Sequence, residues 1–279
     1  MNAILNKKQL SQNVYLMELY APIISGECRA GQFIILSLNN EFAERIPLTI
    51  ADSNPEKGTI TIIFQVVGKT TLELSNLSEG EKIVNLLGPL GNPTHIEKFG
   101  KVLCVAGGIG VAPSYPIAKA MKKAGNELKV IIGARSKELI IYESEMRELS
   151  DELIVCTDDG SCGRKAIVTE PLKELCISWK PDIVVAIGPA IMMKFCAETT
   201  RPFGITTLVS LNTIMIDGTG MCGGCRVTVG NETKFVCVDG PEFDGHKVDF
   251  DNMMARLGAY KDLESQAYHK CKLDSSLKK

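Results

Sequence analysis

A small antiparallel β barrel, a doubly wound α/β domain with five parallel strands and a small C-terminal metal-binding module are predicted by changes of texture along 279 residues. The first hundred residues carry short β-branched runs bounded by Gly, Pro or Asn, the pattern of a small barrel or sandwich. From Phe99-Gly100 onward, nearly all-apolar strands alternate with helical patterns, as when helices cover both faces of a parallel sheet. After Leu211 that alternation stops and a segment dense in Gly and Cys begins. The expected boundaries are 1–98, 99–211 and 212–279.

In order, the expected barrel strands are 14–20, 32–38, 45–50, 59–67 and 81–87, with a short capping helix over 71–77. The α/β region then reads as strand 102–106, helix 112–124, strand 128–133, helix 142–149, strand 153–157, helix 169–175, strand 183–187, helix 190–199 and strand 207–211. A hairpin of 226–229 with 234–238 turns through Gly230-Asn231. Beyond Gly240 the pattern predicts one helical stretch and a polar, Lys-rich end that frays.

Charge excludes one class of partner. With 31 basic and 33 acidic residues the net charge is −2, which gives no electrostatic footprint for nucleic acid. No run approaches the ~18 apolar residues of a membrane span, and the first eight residues lack a secretory apolar core. A soluble cytoplasmic chain is expected, without membrane partners. In that compartment, ten cysteines point to metal or redox chemistry rather than disulfides. Cys28, Cys104, Cys156, Cys176 and Cys196 are scattered and read as small buried hydrophobes.

The sharpest chemical signal is Cys222-Gly-Gly-Cys225 with Cys237 downstream. Two cysteines separated by two residues can turn toward one metal, and the glycines let amides approach the sulfurs. Asp217 precedes Cys222 by a four-residue gap, so Asp217-x4-Cys222-x2-Cys225 has the register of a plant-type 2Fe–2S loop with Asp in first place. The competing reading is a zinc site of Cys222, Cys225, Cys237 and His246 in a nucleotide-binding regulatory module.

Nucleotide signals lie upstream. Gly107-Gly108-Ile109-Gly110 follows an apolar strand and opens a helix, which lets a pyrophosphate meet amides at a helix N-terminus. Pro113 stands where the dinucleotide fingerprint has its third glycine and suits a first helical turn. Asp158, Asp159 and Gly188-Pro189 end later strands, at the sheet edge where ligands bind. Arg45-Ile46-Pro47-Leu48-Thr49 offers a cation and a hydroxyl on one extended segment. Gly68, Thr70 and Thr71 form a second candidate phosphate cradle. No acid–base dyad is visible, so no catalytic side chain is assigned.

Together these motifs resemble the ferredoxin–NADP reductase superfamily over nearly the whole chain. Within it they resemble the branch with a C-terminal 2Fe–2S cluster. That branch includes the electron-transfer subunit of dihydroorotate dehydrogenase. It also includes the small (alpha) subunit of NADH-dependent ferredoxin:NADP oxidoreductase, or sulfide dehydrogenase beta subunit. Asp217 in place of a fourth cysteine, and about thirty residues beyond His246, are similar to the latter.

The resemblance implies an FAD-binding barrel, an NAD-binding domain and an iron–sulfur module. Arg45, Pro47, Leu48 and Thr49 would line the flavin ring and ribityl side, and Gly68, Thr70 and Thr71 its pyrophosphate. Gly108, Gly110 and Pro113 would face the NAD(H) phosphates, Asp158 and Asp159 a ribose. Asp217, Cys222, Cys225 and Cys237 would hold the cluster. The implied activity is hydride exchange with NAD(H) at FAD and single-electron exchange through the cluster with a larger flavin and iron–sulfur subunit. Through that partner it would reach NADP(H) and ferredoxin, with sulfide or polysulfide as a second activity. The chain departs from the family pattern where Ile46 takes the register of the flavin-motif arginine and Ile187 that of a cysteine before Gly-Pro. Arg135, Ser136 and Lys137, after the second parallel strand, leave NADP open as the nucleotide.

Overall fold

The computed structural model describes residues 2–38 and 44–277. Its first sheet contains β1 (Ile4–Ser11), β2 (Val14–Tyr20), β3 (Phe33–Ser37), β4 (Ile46–Asn54), β5 (Thr59–Gln65) and β6 (Asn85–Leu90). Helix α1 (Pro22–Glu27) follows β2, and α2 (Lys69–Asn76) follows β5. The strand order is β1-β2-β5-β4-β3-β6, antiparallel throughout. An Ala3–Lys82 bridge, with Ile4 N–H donating to Glu81 O and Ile83 N–H to Asn2 O, joins the two edges. That contact brings the two edges together at one end and curls the sheet into a barrel.

Three elements differ from expectation, α1 being a helix that the sequence pattern does not predict. β1 is a strand by its pairing with β2, not by its own pattern, because Asn6, Lys7, Lys8 and Gln9 give it a polar outer face. The last barrel strand starts at Asn85, since Lys82 is used in the closing bridge. Inside, Met17, Leu19, Ile34, Leu36, Ile60, Ile62 and Phe64 alternate inward, and Leu74 of α2 plugs one end.

The second sheet is built from β7 (Lys101–Gly107), α3 (Val111–Lys123), β8 (Glu127–Ala134), α4 (Glu143–Leu149), β9 (Glu152–Thr157), the two-residue β10 (Arg164–Lys165), α5 (Thr169–Ser178), β11 (Ile183–Ile187), α6 (Ala190–Thr200) and β12 (Thr206–Ser210). Strand order β9-β8-β7-β11-β12 is parallel and reverses between β7 and β11. Successive residues serve opposite cores. Val102, Cys104 and Ala106 pack with α3, while Leu103 and Val105 pack with α5 and α6. The five expected parallel strands are extended at both edges, by β10 beside β9 and by an antiparallel strand from the C-terminal region beside β12.

That C-terminal region contains β13 (Arg226–Val229), β14 (Glu232–Phe235), the single turn α7 (Val236–Asp239), β15 (Glu242–Asp244), α8 (Phe250–Leu257) and α9 (Lys261–Leu277). β13 and β14 form the expected hairpin, but 236–238 is helical rather than strand. Pairing ends at Arg226–Phe235, where the chain before β13 turns away and Phe235 N–H bonds Asp239 Oδ2. Two helices replace the expected one. Asp249 caps α8 by accepting from Asn252 N–H, and Gly258 follows its end. The Lys278-Lys279 end lies outside the described residues.

Gly110 sets how closely α3 approaches β11: a Cβ there would lie 2.3 Å from Ile187 O. Gly110→Ala is therefore expected to destabilise the chain by about 2 kcal/mol through overpacking. Urea unfolding measures this, and an unchanged midpoint would contradict it.

Candidate functional site

The parallel strands end at a cleft of about 640 Å³. Gly107 and Gly108 enter it from β7, Gly133 to Arg135 from β8, Asp158 from β9 and Gly188-Pro189 from β11, with Val14 and Gln65 of the barrel opposite. This is the edge, at the reversal of strand order, where open α/β sheets take ligands. Gly108 has φ +55°, and a Cβ on it would meet nothing within 4 Å, so its backbone faces open cleft at the head of α3.

The other predicted residues divide. Gly110 lies beneath β11 and Pro113 in the first turn of α3, and neither lines the cleft. Asp159 is tied to its own turn, its Oδ1 accepting from Ser161 N–H at 2.9 Å and Ser161 Oγ at 2.6 Å, which holds its carboxyl below the usual range. The apolar wall from Met192 and Phe195 of α6 was not read from sequence. The exposed Phe195, one turn after the buried-side Met192, is the signal that could have found it.

On the barrel, Pro47, Leu48 and Thr49 sit on β4, half-buried, with Arg45 exposed just before it. Gly68 precedes α2. Thr71 Oγ1 accepts from Val67 and Gly68 N–H, each at 3.0 Å, and so closes that turn. The Thr70 hydroxyl donates to the Glu44 carboxylate at the head of α2. An acidic oxygen at this helix start stands in for a phosphate oxygen, the fit expected of a pyrophosphate cradle.

The cysteine loop rests on the same barrel. A Cβ on Gly218, whose φ is +74°, would lie 2.7 Å from Ile35 of β3 and Leu90 of β6, so only glycine lets the loop settle there. Ile35 in turn pairs with Pro47 of β4, which puts the loop one strand from the candidate flavin residues.

Cys225 and Cys237 are buried with sulfurs 3.2 Å apart, and Cys222 is exposed. Gly224 N–H donates to Cys222 Sγ at 3.4 Å and Cys237 N–H to Cys225 Sγ at 3.5 Å. Asp217 accepts from Thr219 N–H and Cys222 N–H at 2.8 and 2.7 Å, which holds its carboxyl low. Among the described residues no three His, Cys, Asp or Glu side chains converge into a ready metal cage. The donors nonetheless fit an iron–sulfur group. Burial pushes the Cys237 thiol up to about 12, so a bound cation is what would keep that sulfur ionised. His246, the fourth zinc candidate, bonds Thr200 Oγ1 through Nε2 at 3.0 Å, and its Nδ1 lies 3.9 Å from Asp244.

Glu242 joins the three regions. From β15 it accepts a 2.6 Å bond from Thr94 Oγ1, in the connector between the two sheets, and it lies against Gly31 of the barrel. Burial pushes its carboxyl up to about 7. The folded chain then binds a proton more tightly than the unfolded one, so stability is full below the unfolded value and falls as pH rises through about 7. The loss is on the order of 3 kcal/mol. Unfolding midpoints from pH 5 to 8 are expected to fall in the native chain and to flatten in Glu242→Gln; equal slopes would contradict this.

Comparison with known proteins finds two matched stretches. Residues 104–198 match a family model described as an oxidoreductase NAD-binding domain. Residues 212–249 match the iron–sulfur cluster binding domain of dihydroorotate dehydrogenase B. A Thermotoga maritima protein named as a homolog of the dihydroorotate dehydrogenase B (NAD(+)) electron transfer subunit is 50% identical over 270 residues, covering 97% of this chain and 95% of that one. The electron transfer subunit of Clostridium perfringens is 32% identical over 88% of this chain and 98% of its own. A solved structure from work on flavin-based electron bifurcation, of an NADH-dependent reduced ferredoxin-NADP oxidoreductase, superposes with a TM-score of 0.92 at 49% identity over 97% of both chains. The cytochrome b5 reductase domain of Ulva prolifera nitrate reductase shares the fold alone, at a TM-score of 0.59 and 17% identity, over 73% of this chain and 92% of that one. No helix among the described residues is long and apolar enough to cross a membrane.

Proposed function

Because the chain belongs to the family of dihydroorotate dehydrogenase B electron transfer subunits and their homologs, we propose that it links NAD(H) to a larger partner subunit through FAD and a 2Fe–2S cluster. That partner, a flavin and iron–sulfur reductase, would couple the chain to NADP(H) and ferredoxin. When bound, FAD would supply two-electron exchange with nicotinamide, and the cluster would supply one-electron transfer. The observation that carries this reading is the likeness to the NADH-dependent reduced ferredoxin-NADP oxidoreductase structure over 97% of both chains at 49% identity.

The chain's own residues bind and orient. Gly107 and Gly108 bring backbone to the dinucleotide phosphates, and Asp158 faces its ribose from β9. Pro47, Leu48 and Thr49 hold one side of the flavin ring, with Arg45 at its margin. Gly68, Thr70 and Thr71 hold its pyrophosphate once Glu44 gives way at the head of α2. Cys222, Cys225 and Cys237, with Asp217, hold the cluster, and their loop's seat on β3 keeps it near β4. A carboxylate ligand is harder than thiolate and sets this cluster apart from an all-cysteine one.

Anaerobic mixing with NADH or NADPH tests the nucleotide assignment. Rapid bleaching of the flavin by NADH is expected, and clear preference for NADPH would contradict it. A second reading, the electron transfer subunit of a dihydroorotate dehydrogenase, is favoured by the family model over 212–249. It requires a partner that oxidises dihydroorotate, so the protein that copurifies with the chain separates the two.

A further inference from the structure

The glycines between Cys222 and Cys225 are gripped from outside by two arginines. Gly223 O accepts from Arg226 Nη1 at 3.1 Å, and Gly224 O accepts from Arg256 Nη2 at 3.2 Å. In a trans peptide the carbonyl and the amide hydrogen point to opposite sides. The peptide whose oxygen faces Arg226 therefore turns its other side, Gly224 N–H, toward Cys222 Sγ. A cationic donor on the carbonyl polarises the whole group and strengthens its N–H···S bond.

Arg256 comes from α8, beyond the 212–249 stretch matched by the cluster-domain model. The helix is fixed where it must be to deliver that side chain. Asp249 N–H bonds Thr228 O of β13, and Phe250 and Met253 are buried beneath the helix. Both arginines border one narrow crevice, backed by Met253, Leu257 and Ile214. Neither makes an ion pair among the described residues, unlike Arg147 and Arg164. Two unneutralised cations thus meet the loop that carries two of the predicted ligands.

We propose that Arg226 and Arg256 are positioning residues for the cluster: Arg226 aims the Gly224 amide at the Cys222 sulfur, Arg256 fixes the next carbonyl of the loop, and their charges raise the cluster's reduction potential, which makes α8 part of the redox site. This rests on the iron–sulfur reading above. Reduction adds negative charge to the cluster, and nearby cations and N–H···S bonds stabilise that charged form.

The test is an EPR-monitored redox titration of the full chain, with iron and acid-labile sulfide measured alongside. Arg256→Gln and Arg226→Gln are each expected to keep iron and to lower the cluster midpoint, shifting its one-electron equilibrium about tenfold, or about 59 mV. Arg256→Lys and Arg226→Lys keep the charge and are expected to stay nearer the native midpoint than the glutamine variants. Unchanged midpoints in both iron-containing glutamine variants would overturn the proposal. Equal loss of iron from the lysine and glutamine variants would also overturn it, reducing the arginines to packing. Absence of iron and sulfide from the native chain would instead defeat the underlying cluster reading.

Discussion

Cys225→Ser is expected to leave a chain that still bleaches its flavin with NADH but delivers no electrons to its partner. Cys225 is 1% exposed, and its sulfur is 3.2 Å from that of Cys237. It also accepts the Cys237 amide hydrogen, so it organises the other buried cysteine as well as being itself a proposed ligand. A serine hydroxyl is a poor donor to iron near neutral pH, when it stays protonated. Loss of an outer-layer group typically costs roughly 10–100-fold in metal affinity, and loss of a ligand costs more. Iron analysis and the visible spectrum should show a flavin-only protein. Because ligand binding and local folding are linked, the region 214–240 should also gain amide exchange. Native iron content in the variant would show that Cys225 does not hold the cluster.

Gly108→Glu is expected to give the converse phenotype, with the cluster intact and NADH oxidation nearly lost. The added side chain would project into the cleft at the head of α3, carrying negative charge to the place proposed for phosphates. A fall of roughly a hundredfold in kcat/KM for NADH corresponds to about 2.7 kcal/mol. Gly108→Ala separates charge and bulk from backbone strain. Its Cβ meets nothing within 4 Å, so it bears mainly the strain of φ +55°, about 1 kcal/mol. Stopped-flow flavin reduction measures both variants. Equal, mild effects would place the dinucleotide phosphates elsewhere.

The parts of the fold that could be read from sequence are those whose residues carry the pattern themselves. β7, β8 and β11 are almost wholly apolar because helices cover both faces, and that composition is visible without neighbours. β1 became a strand through the partner it closes against, and Ala3 and Lys82 are far apart in sequence. Val236 to Val238 carries strand-forming residues, yet the chain must bend there to bring Cys237 beside Cys225. A tertiary demand overrides local preference at that point.

The same distinction holds at the site. Spacing alone nominates Cys222 and Cys225 as ligands, with Cys237 downstream, because the C-x2-C pair is a local pattern. Glu242 belongs to no motif visible in the sequence, and its burial depends on Thr94 and Gly31 arriving from the connector and the barrel. Arg256 lies thirty-two residues from Gly224, a pairing made only by the packing of α8 on β13. Gly110 and Asp159 carry residue types that suit a ligand contact, and the structure also engages them in helix packing and turn closure, which spacing does not reveal.

The Gly-rich cysteine loop is proposed to hold a redox-active iron pair rather than a silent ion. Metal and acid-labile sulfide analysis of the anaerobically isolated chain, with EPR after reduction, tests it most directly. About two irons and two sulfides per chain are expected, with a signal that appears on reduction. About one zinc per chain with no labile sulfide would contradict the account.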